Sequence, residues 1–339
     1  MEKINHSVDR STWIPITHAS DIAAARRAGQ RLSQELAFDD VRAGQLALVI
    51  TEASTNILKH AGEGKLVLST VQADGMDGID VLAIDAGPGI ANLAQALRDG
   101  TSSAGTAGNG LGALHRLSDQ FDVYTLRGKG TVFFMRLWRA AASVQVAHGG
   151  VSLPLAGETA NGDAWAVIEL REQTALLMVD GLGHGPEAAK AAAAAIAAME
   201  LQPSLHPAEQ IPVCHEAMRN TRGAALALAL YDAPGKQLYF AGIGNVSACI
   251  VGGSGRRQLV SYNGIVGNNI RKVQEFSVDC APGSLVVMAT DGIGTQWDLD
   301  QYPGLYFCDP AIVAAVLLRD HARARDDASV LVYRIPGAL

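Results

Sequence analysis

The chain has few charged residues, aromatics and cysteines. Of its 339 residues, 18% are charged and 5% are Phe, Trp or Tyr, and there are four cysteines. Cys214, Cys249, Cys280 and Cys308 stand far apart with no C-x-x-C pair, which argues against a zinc knuckle or dithiol motif and predicts free thiols in a reducing compartment. An excess of basic charge is also missing. Lys and Arg number 27 against 34 Asp and Glu, a net charge of −7, so no basic field is present to hold nucleic acid. The longest uncharged alanine-rich run, 191–199, falls far short of the roughly 20 residues that span a bilayer. The opening MEKINHSVDRSTWIP has neither an apolar h-region nor a small-residue cleavage site. These absences predict a cytoplasmic protein with no membrane and no nucleic acid among its partners.

The length suits two domains. Residues 139–146 are alanine-rich without a period, the best linker in the chain, so the expected division is 1–140, a linker at 141–146, and 147–339. Before the linker, helices are predicted at 21–36, capped by Asp21, and at 41–60, with Leu46, Val49, Ile50, Ala53, Ile57 and Leu58 on one stripe. Strands follow at 65–72 and 79–85, then a glycine-rich stretch, a short helix at 113–118 and strands at 121–126 and 131–138. Helices followed by hairpin-like strands suggest an α/β sandwich with its sheet covered on one face. After the linker, strands at 164–170 and 175–179 lead to helices at 186–201 and 207–220. Further strands are predicted at 224–231, 237–241, 247–251 and 284–289, then a helix from Asp309 and a last strand at 329–334.

Three pieces of the first half suit a nucleotide. Glu52 and Asn56, four apart on a helix, share a face, where they suit a hydroxyl and a magnesium ion, although a polar pair at this spacing is usually a solvated helix edge. Asp85-Ala-Gly-Pro-Gly-Ile90 closes a strand with an acid and two glycines, where backbone can approach a flat ligand and a carboxylate can accept from an exocyclic amine, or where the chain simply turns. Gly105-Thr-Ala-Gly-Asn-Gly-Leu-Gly112 opens a helix whose N-terminus suits phosphate.

Taken in this order with Gly130-Thr131, the pieces resemble the ATP-binding GHKL fold over about residues 10–138, and within it the small serine kinases of the anti-sigma and stressosome switch type. TEASTNILKHA resembles their N box, DAGPGI the first glycine box, TAGNGLGALHRLSD the lid and second glycine box, and GKGTVFFMRLW the family's ending. The resemblance implies Glu52 as the base that activates the acceptor hydroxyl, Asn56 as the magnesium ligand and Asp85 as the reader of adenine. It further implies Gly87 and Gly89 as walls of the adenine pocket, Gly108, Gly110 and Gly112 around the phosphates, and Thr131 beside the nucleotide. His60 is expected to pack or support the lid, since no dimerisation helix pair is present to offer it as a phosphoacceptor.

In the second half acids recur at strand ends: Asp163 in Asn-Gly-Asp, Asp180 in Val-Asp-Gly-Leu-Gly-His-Gly, Asp291 in Ala-Thr-Asp-Gly-Ile, and Asp326 with Asp327 before Ala-Ser-Val-Leu-Val. One acid followed by glycine is commonly a turn. Four in one domain, with no partnering cysteines, offer hard oxygen ligands suited to magnesium or manganese, and two such ions suit attack of water on a phosphoryl group.

The order and spacing of these acids resemble the PPM serine/threonine phosphatases of the SpoIIE-like branch over about residues 147–336. Gly162-Asp163-Ala-Trp165, Ala241-Gly-Ile-Gly-Asn245 and Asn263-Gly-Ile-Val-Gly267 look most like the small stressosome feedback phosphatases. The resemblance implies a PPM-type α-β-β-α sandwich following the GHKL α/β sandwich. It also implies Asp163, Asp180, Asp291, Asp326 and the Gly181 carbonyl as metal ligands, with Asp327 supporting them. His184 is either a proton donor to a leaving serine or simply exposed, and no arginine is assigned to the substrate phosphate.

Together the two resemblances imply a bifunctional switch using ATP with Mg2+ in one half and two Mn2+ or Mg2+ in the other. It would phosphorylate a serine or threonine of a STAS-domain antagonist or stressosome protein and dephosphorylate the same or a related protein, with a sigma factor as a possible further partner. The alternative is a phosphatase regulated by a non-catalytic, ATP-dependent partner-binding module.

Overall fold

The computed structural model describes residues 3–8, 11–97, 110–253 and 255–337. The chain begins with β1 (Lys3–Val8) and β2 (Thr12–Ile16), then α1 (Ala19–Glu35), α2 (Asp40–His60), β3 (Gly64–Ala73) and β4 (Met76–Asp85). A short α3 (Leu93–Ala96), α4 (Gly110–Leu117), β5 (Gln120–Leu126) and β6 (Gly130–Trp138) follow. Residues 141–146 carry no helix or strand. Next come β7 (His148–Leu153), β8 (Asp163–Leu170), β9 (Gln173–Gly181), α5 (Pro186–Leu201), α6 (Pro207–Ala217), β10 (Ala224–Asp232), β11 (Gln237–Ile243) and β12 (Ser247–Gly252). The chain closes with β13 (Gly255–Leu259), the short pair β14 (Gly264–Ile265) and β15 (Asn269–Ile270), β16 (Phe276–Asp279), β17 (Leu285–Ala289), two 3-10 turns, α7 (Pro310–His321) and β18 (Ala328–Arg334). Among the described residues no helix is long and apolar enough to cross a membrane.

Two compact units form, and neither is one continuous stretch of chain. A two-sheet unit contains Met1–Asp9, Val146–Trp297 and Asp320–Leu339, and a single-sheet unit contains Arg10–Gln145 and Asp298–Arg319. The contiguous division at 140 and 147 is therefore corrected in two places. Strand β1 pairs antiparallel with β8 of the two-sheet unit, and the segment carrying most of α7 belongs to the single-sheet unit. Neither exchange is visible in a one-dimensional pattern, because a strand or apolar helix does not state which surface it covers.

The single-sheet unit is an antiparallel sheet in the order β2-β3-β4-β6-β5. The alternation of strand side chains sends Ile79, Val81 and Ala83 of β4 and Phe133, Met135 and Leu137 of β6 toward α1 and α2, where they meet Ala25, Leu46, Val49, Ile50 and Ile57. Helix α1 starts two residues earlier than expected. His18 is its N-cap, and Asp21, at the third helical position, reaches back to accept from the Thr17 and His18 amides at 2.9 and 2.8 Å.

The opposite sheet face, expected to be open, is also buried. Arg136 is 1% exposed there, donating through Nε and Nη2 to the two carboxylate oxygens of Asp80 at 2.6 Å each and through Nη1 to Gln120 Oε1 at 2.9 Å. A guanidinium taken out of water is tolerable because this fork satisfies it bidentately. The α7 segment lies on this face. The Asp309 amide donates to Asp122 Oδ2 at 2.7 Å, Asp122 pairs across the sheet with Phe134, and residues 310–318 are all buried.

The two-sheet unit stacks the six-stranded sheet β1-β8-β9-β10-β11-β16 on the five-stranded sheet β13-β12-β17-β18-β7. Trp165, Val167, Leu176, Met178, Phe240, Met288 and Leu331 fill the space between the sheets. The alternate positions of the same strands, Ala166, Ile168, Leu177 and Val179, pack against α5 and α6. The alanine run of α5 has a steric reason. Its buried alanines bring the helix so close that a Cβ on Gly181 would lie 2.4 Å from the Ala188 carbonyl.

Candidate functional sites

In the single-sheet unit β4 ends on Asp85, which is 9% exposed. Its Oδ1 accepts from the Gly87 amide at 2.8 Å and the Thr131 amide at 3.1 Å, so among the described residues both of these bonds use one oxygen. Burial raises the Asp85 pKa, opposed by those two amides and by the charges of Arg319 and His60. Glycine is required around it. A Cβ on Gly87 would lie 2.7 Å from that of Ala61, and Gly130, at φ +99°, would place one 2.1 Å from the Asp85 carbonyl. The chain from Gly89 returns to β5 and β6 through Ile90 N to Thr125 Oγ1 at 2.8 Å, with Thr125 bonded to Thr131 at 3.1 Å.

Glu52 and Asn56 fall one turn apart on α2, both half-buried, and Asn56 Nδ2 is buried with no hydrogen-bond partner among the described residues. An orphaned buried amide marks a place where a polar partner is expected, and the chemistry of a carboxylate, an amide and an adenine-type acid fits a nucleotide with its magnesium ion. Gly110 and Gly112 fall in the first turn of α4, where the helix amides suit phosphate. Gly108 lies outside the described residues.

In the two-sheet unit, Asp163 opens β8 directly opposite Asp180 of β9, and Gly181 follows it. Asp291 follows β17, and Asp326 and Asp327 precede β18. These strands bring together acids that the sequence separates widely, and like charges placed opposite one another are costly. Asp163, 3% exposed, has its pKa raised well above the carboxylate range by burial, then by Asp180 and Asp327. Asp180 is pushed up to about 7 by burial, then by Asp291 and Asp326. Asp291 is raised by burial and by Asp326, against the pull of Arg323 and a hydrogen bond from Asn245. The arrangement is a set of mutually repelling carboxylates, Asp163 buried, Asp180 and Asp291 half-buried and Asp326 exposed, and divalent cations would supply the balancing positive charge. Among the described residues no three acidic, imidazole or thiolate groups are grouped closely enough to hold a metal ion as they stand.

Of the supporting groups Asp327 was expected from the sequence, whereas Thr290 and Asn245 were not. Thr290 Oγ1 donates to Asp163 Oδ2 at 2.6 Å, and Asn245 Nδ2 donates to Asp291 Oδ2 at 2.5 Å. Asp327 accepts from the Leu155 amide at 2.6 Å and the Gly162 amide at 2.7 Å, so it fastens the loop before Asp163. The sequence signal for Thr290 was its place beside Asp291, but nothing in the spacing ties it to Asp163, 127 residues away. His184 is exposed, with Nδ1 2.5 Å from Glu158 Oε1.

Comparisons with known proteins follow the same division. The histidine kinase-like ATPase domain family matches residues 15–137, and the stage II sporulation protein E (SpoIIE) family matches residues 171–301. The serine/threonine-protein kinase RsbT of Bacillus subtilis (strain 168) is 36% identical over 111 residues, which cover 33% of this chain and 84% of RsbT. A structure described as the bacterial stressosome, a modular system adapted to control secondary messenger signalling, aligns at 30% identity and a TM-score of 0.53. The alignment covers 56% of this chain and all of that one.

Proposed function

Because the chain belongs to the serine/threonine kinase family of RsbT through its first domain and carries a SpoIIE-type PPM phosphatase domain after it, we propose that it is a bifunctional partner switch. One domain phosphorylates a serine or threonine of a STAS-domain stressosome-type protein with ATP, and the other removes phosphate from the same or a related protein. The observation that supports this reading is the presence, in one chain, of Asp85 held at a strand end by the Gly87 and Thr131 amides and of a set of mutually repelling acids around Asp180. ATP as phosphoryl donor and free thiols fit the cytoplasm.

In the kinase direction, Asp85 Oδ2 would accept from the exocyclic amine of adenine, and Asn56 would hold magnesium through its side-chain oxygen, the ion supplying charge against the phosphates when bound. Glu52 takes the proton from the acceptor hydroxyl as that oxygen forms its bond to the γ-phosphorus, and the bond to the bridging oxygen breaks to leave ADP. Gly110 and Gly112, in the first turn of α4, would offer backbone amides to the phosphates, the part the resemblance also gives to Gly108.

In the phosphatase direction, Asp163, Asp180, Asp291, Asp326 and the Gly181 carbonyl would hold two divalent cations, manganese or magnesium. When bound, these supply charge that makes water acidic and neutralises the phosphoryl oxygens. Thr290 and Asn245 orient the carboxylates of Asp163 and Asp291, and Asp327 fixes the loop that delivers Asp163. Water adds to phosphorus, the bond to the serine oxygen breaks, and a proton goes to the departing alkoxide.

The test is a time course with labelled ATP, Mg2+ or Mn2+ and a candidate STAS protein, using wild type, Glu52→Ala and Asp291→Asn. Label is expected to accumulate on the partner with Asp291→Asn, to turn over with wild type and to vanish with Glu52→Ala. Dephosphorylation of pre-phosphorylated partner with no transfer of label would instead make the first domain a nucleotide-dependent binding module.

A further inference from the structure

Residues 298–319 are an excursion. In sequence they fall between Asp291 and Asp326, two acids of the phosphatase site, yet they belong to the unit that holds the nucleotide pocket. The SpoIIE family match ends at residue 301, before α7 begins.

Three contacts fix the excursion, two of them beside the nucleotide pocket and the third, at Asp122, on the sheet face that carries Arg136. Arg319 Nη1 donates to the Asp85 carbonyl at 3.2 Å, the Asp309 amide donates to Asp122 Oδ2 at 2.7 Å, and Lys129 Nζ lies 5.1 Å from the centre of the Tyr302 ring. Lys129 belongs to the turn whose Gly128 amide donates to the Pro88 carbonyl at 2.9 Å, inside the first glycine box. The excursion therefore touches the adenine-reading strand end and the glycine turn beside it.

Its two ends return to one narrow neck in the two-sheet unit. Gly294 N donates to His321 O at 2.9 Å, Arg323 N donates to Gly292 O at 2.7 Å, and Ile293 and Ala322 form an isolated antiparallel bridge. Arg323 Nη1 also donates to the Asp291 carbonyl at 2.9 Å. Beyond the neck the chain runs within a few residues to Asp291 on one side and Asp326 on the other.

We propose that Arg319 is a positioning residue of the nucleotide pocket, and that the 298–319 excursion couples occupancy of that pocket to the phosphatase acids on either side of its neck. Arg319 holds the Asp85 backbone at the height from which its carboxylate reads adenine. A nucleotide that tightens Asp85 thereby tightens Arg319 and α7, and the neck transmits that restraint to Asp291 and Asp326. Coupling of this kind is reciprocal in binding free energy. The inference rests on the nucleotide and phosphatase readings given above.

The experiment uses the full chain with saturating Mg2+, ADP as the nucleotide and a phosphoserine peptide as the phosphatase substrate. ADP affinity is measured calorimetrically, and hydrolysis is followed across the same ADP range, for wild type, Arg319→Ala and Arg319→Lys. In wild type, ADP is expected to change the hydrolysis rate at least threefold, with its half-effect at the measured Kd. Arg319→Ala is expected to weaken ADP at least tenfold and to move the rate response to correspondingly higher ADP. Arg319→Lys, which keeps a cationic donor, is expected to recover most of both, which a merely structural loss would not allow. Tight ADP binding by wild type with an unchanged hydrolysis rate overturns the coupling, and wild-type affinity in Arg319→Ala overturns the positioning role. Failure of wild type to bind ADP removes the nucleotide reading and this inference together, whereas ADP binding without any hydrolysis of the peptide removes the phosphatase reading and the coupling but leaves the role of Arg319 measurable.

Discussion

Replacing Asp180 by Asn is expected to stabilise the metal-free protein while damaging the metal-bound one. The Asp180 carboxyl is held at about 7 instead of 3.8, by burial first and then by Asp291 and Asp326. Between those two values the folded chain binds a proton that the unfolded chain has released, so stability falls as pH rises through this window and levels off above about 7. The full shift corresponds to roughly 4 kcal/mol against the ionised fold, an upper figure because neighbouring acids share the strain. Asn keeps an acceptor for the Asp291 amide and removes the charge. In chelator at pH 8, Asp180→Asn should therefore exceed wild type by about 1–4 kcal/mol in denaturant unfolding, and the gap should shrink toward pH 5. With manganese at about 100 times its Kd, wild type should gain about 2.7 kcal/mol and the variant much less, so the order closes or inverts. A gap that does not change with pH, or a variant less stable than wild type in chelator, would refute the claim that these acids repel one another in the fold.

Other substitutions test the remaining geometry. Asp85→Asn should abolish measurable ATP or ADP binding in calorimetry while manganese-dependent phosphopeptide hydrolysis persists, because only the nucleotide pocket loses its acceptor. Gly130→Val should disrupt the same pocket, since a Cβ would lie 2.1 Å from the Asp85 carbonyl at a φ of +99°, and chemical denaturation should show a loss of at least about 2 kcal/mol. Asp327→Ala strips the acceptor from the Leu155 and Gly162 amides, so stability should fall by about 2–4 kcal/mol and hydrolysis should drop even at saturating manganese.

Much of each site was legible because its residues are local in sequence. The stripe of Leu46, Val49, Ile50, Ala53 and Ile57 follows from helical periodicity, and all five are buried against the single sheet. Asp85 with Gly87 and Gly89, and Asp180 with Gly181, were visible because a strand that ends on an acid and turns on glycine leaves a short, recognisable string. The partners of those acids were not visible in the same way. Thr290 for Asp163 and Asp327 for Gly162 are pairings made by the stacking of one sheet on the other, and Asn245 for Asp291 is made by the pairing of β12 with β17, so none of them is a property of a short stretch of chain.

The sequence by itself determined most of the longer helices and strands and the order of the two domains, because periodicity and turn residues act over a few residues, while short strands such as β1, β2 and β7 escaped it. Only the tertiary structure decided that β1 completes the sheet that begins at Asp163, that the second face of the single sheet is buried around the Arg136–Asp80 pair, and that α7 leaves the phosphatase stretch to reach Asp85 through Arg319. The reason is physical. A strand edge and an apolar helix face are satisfied by any complementary surface, and which surface they find depends on contacts between residues far apart in the chain.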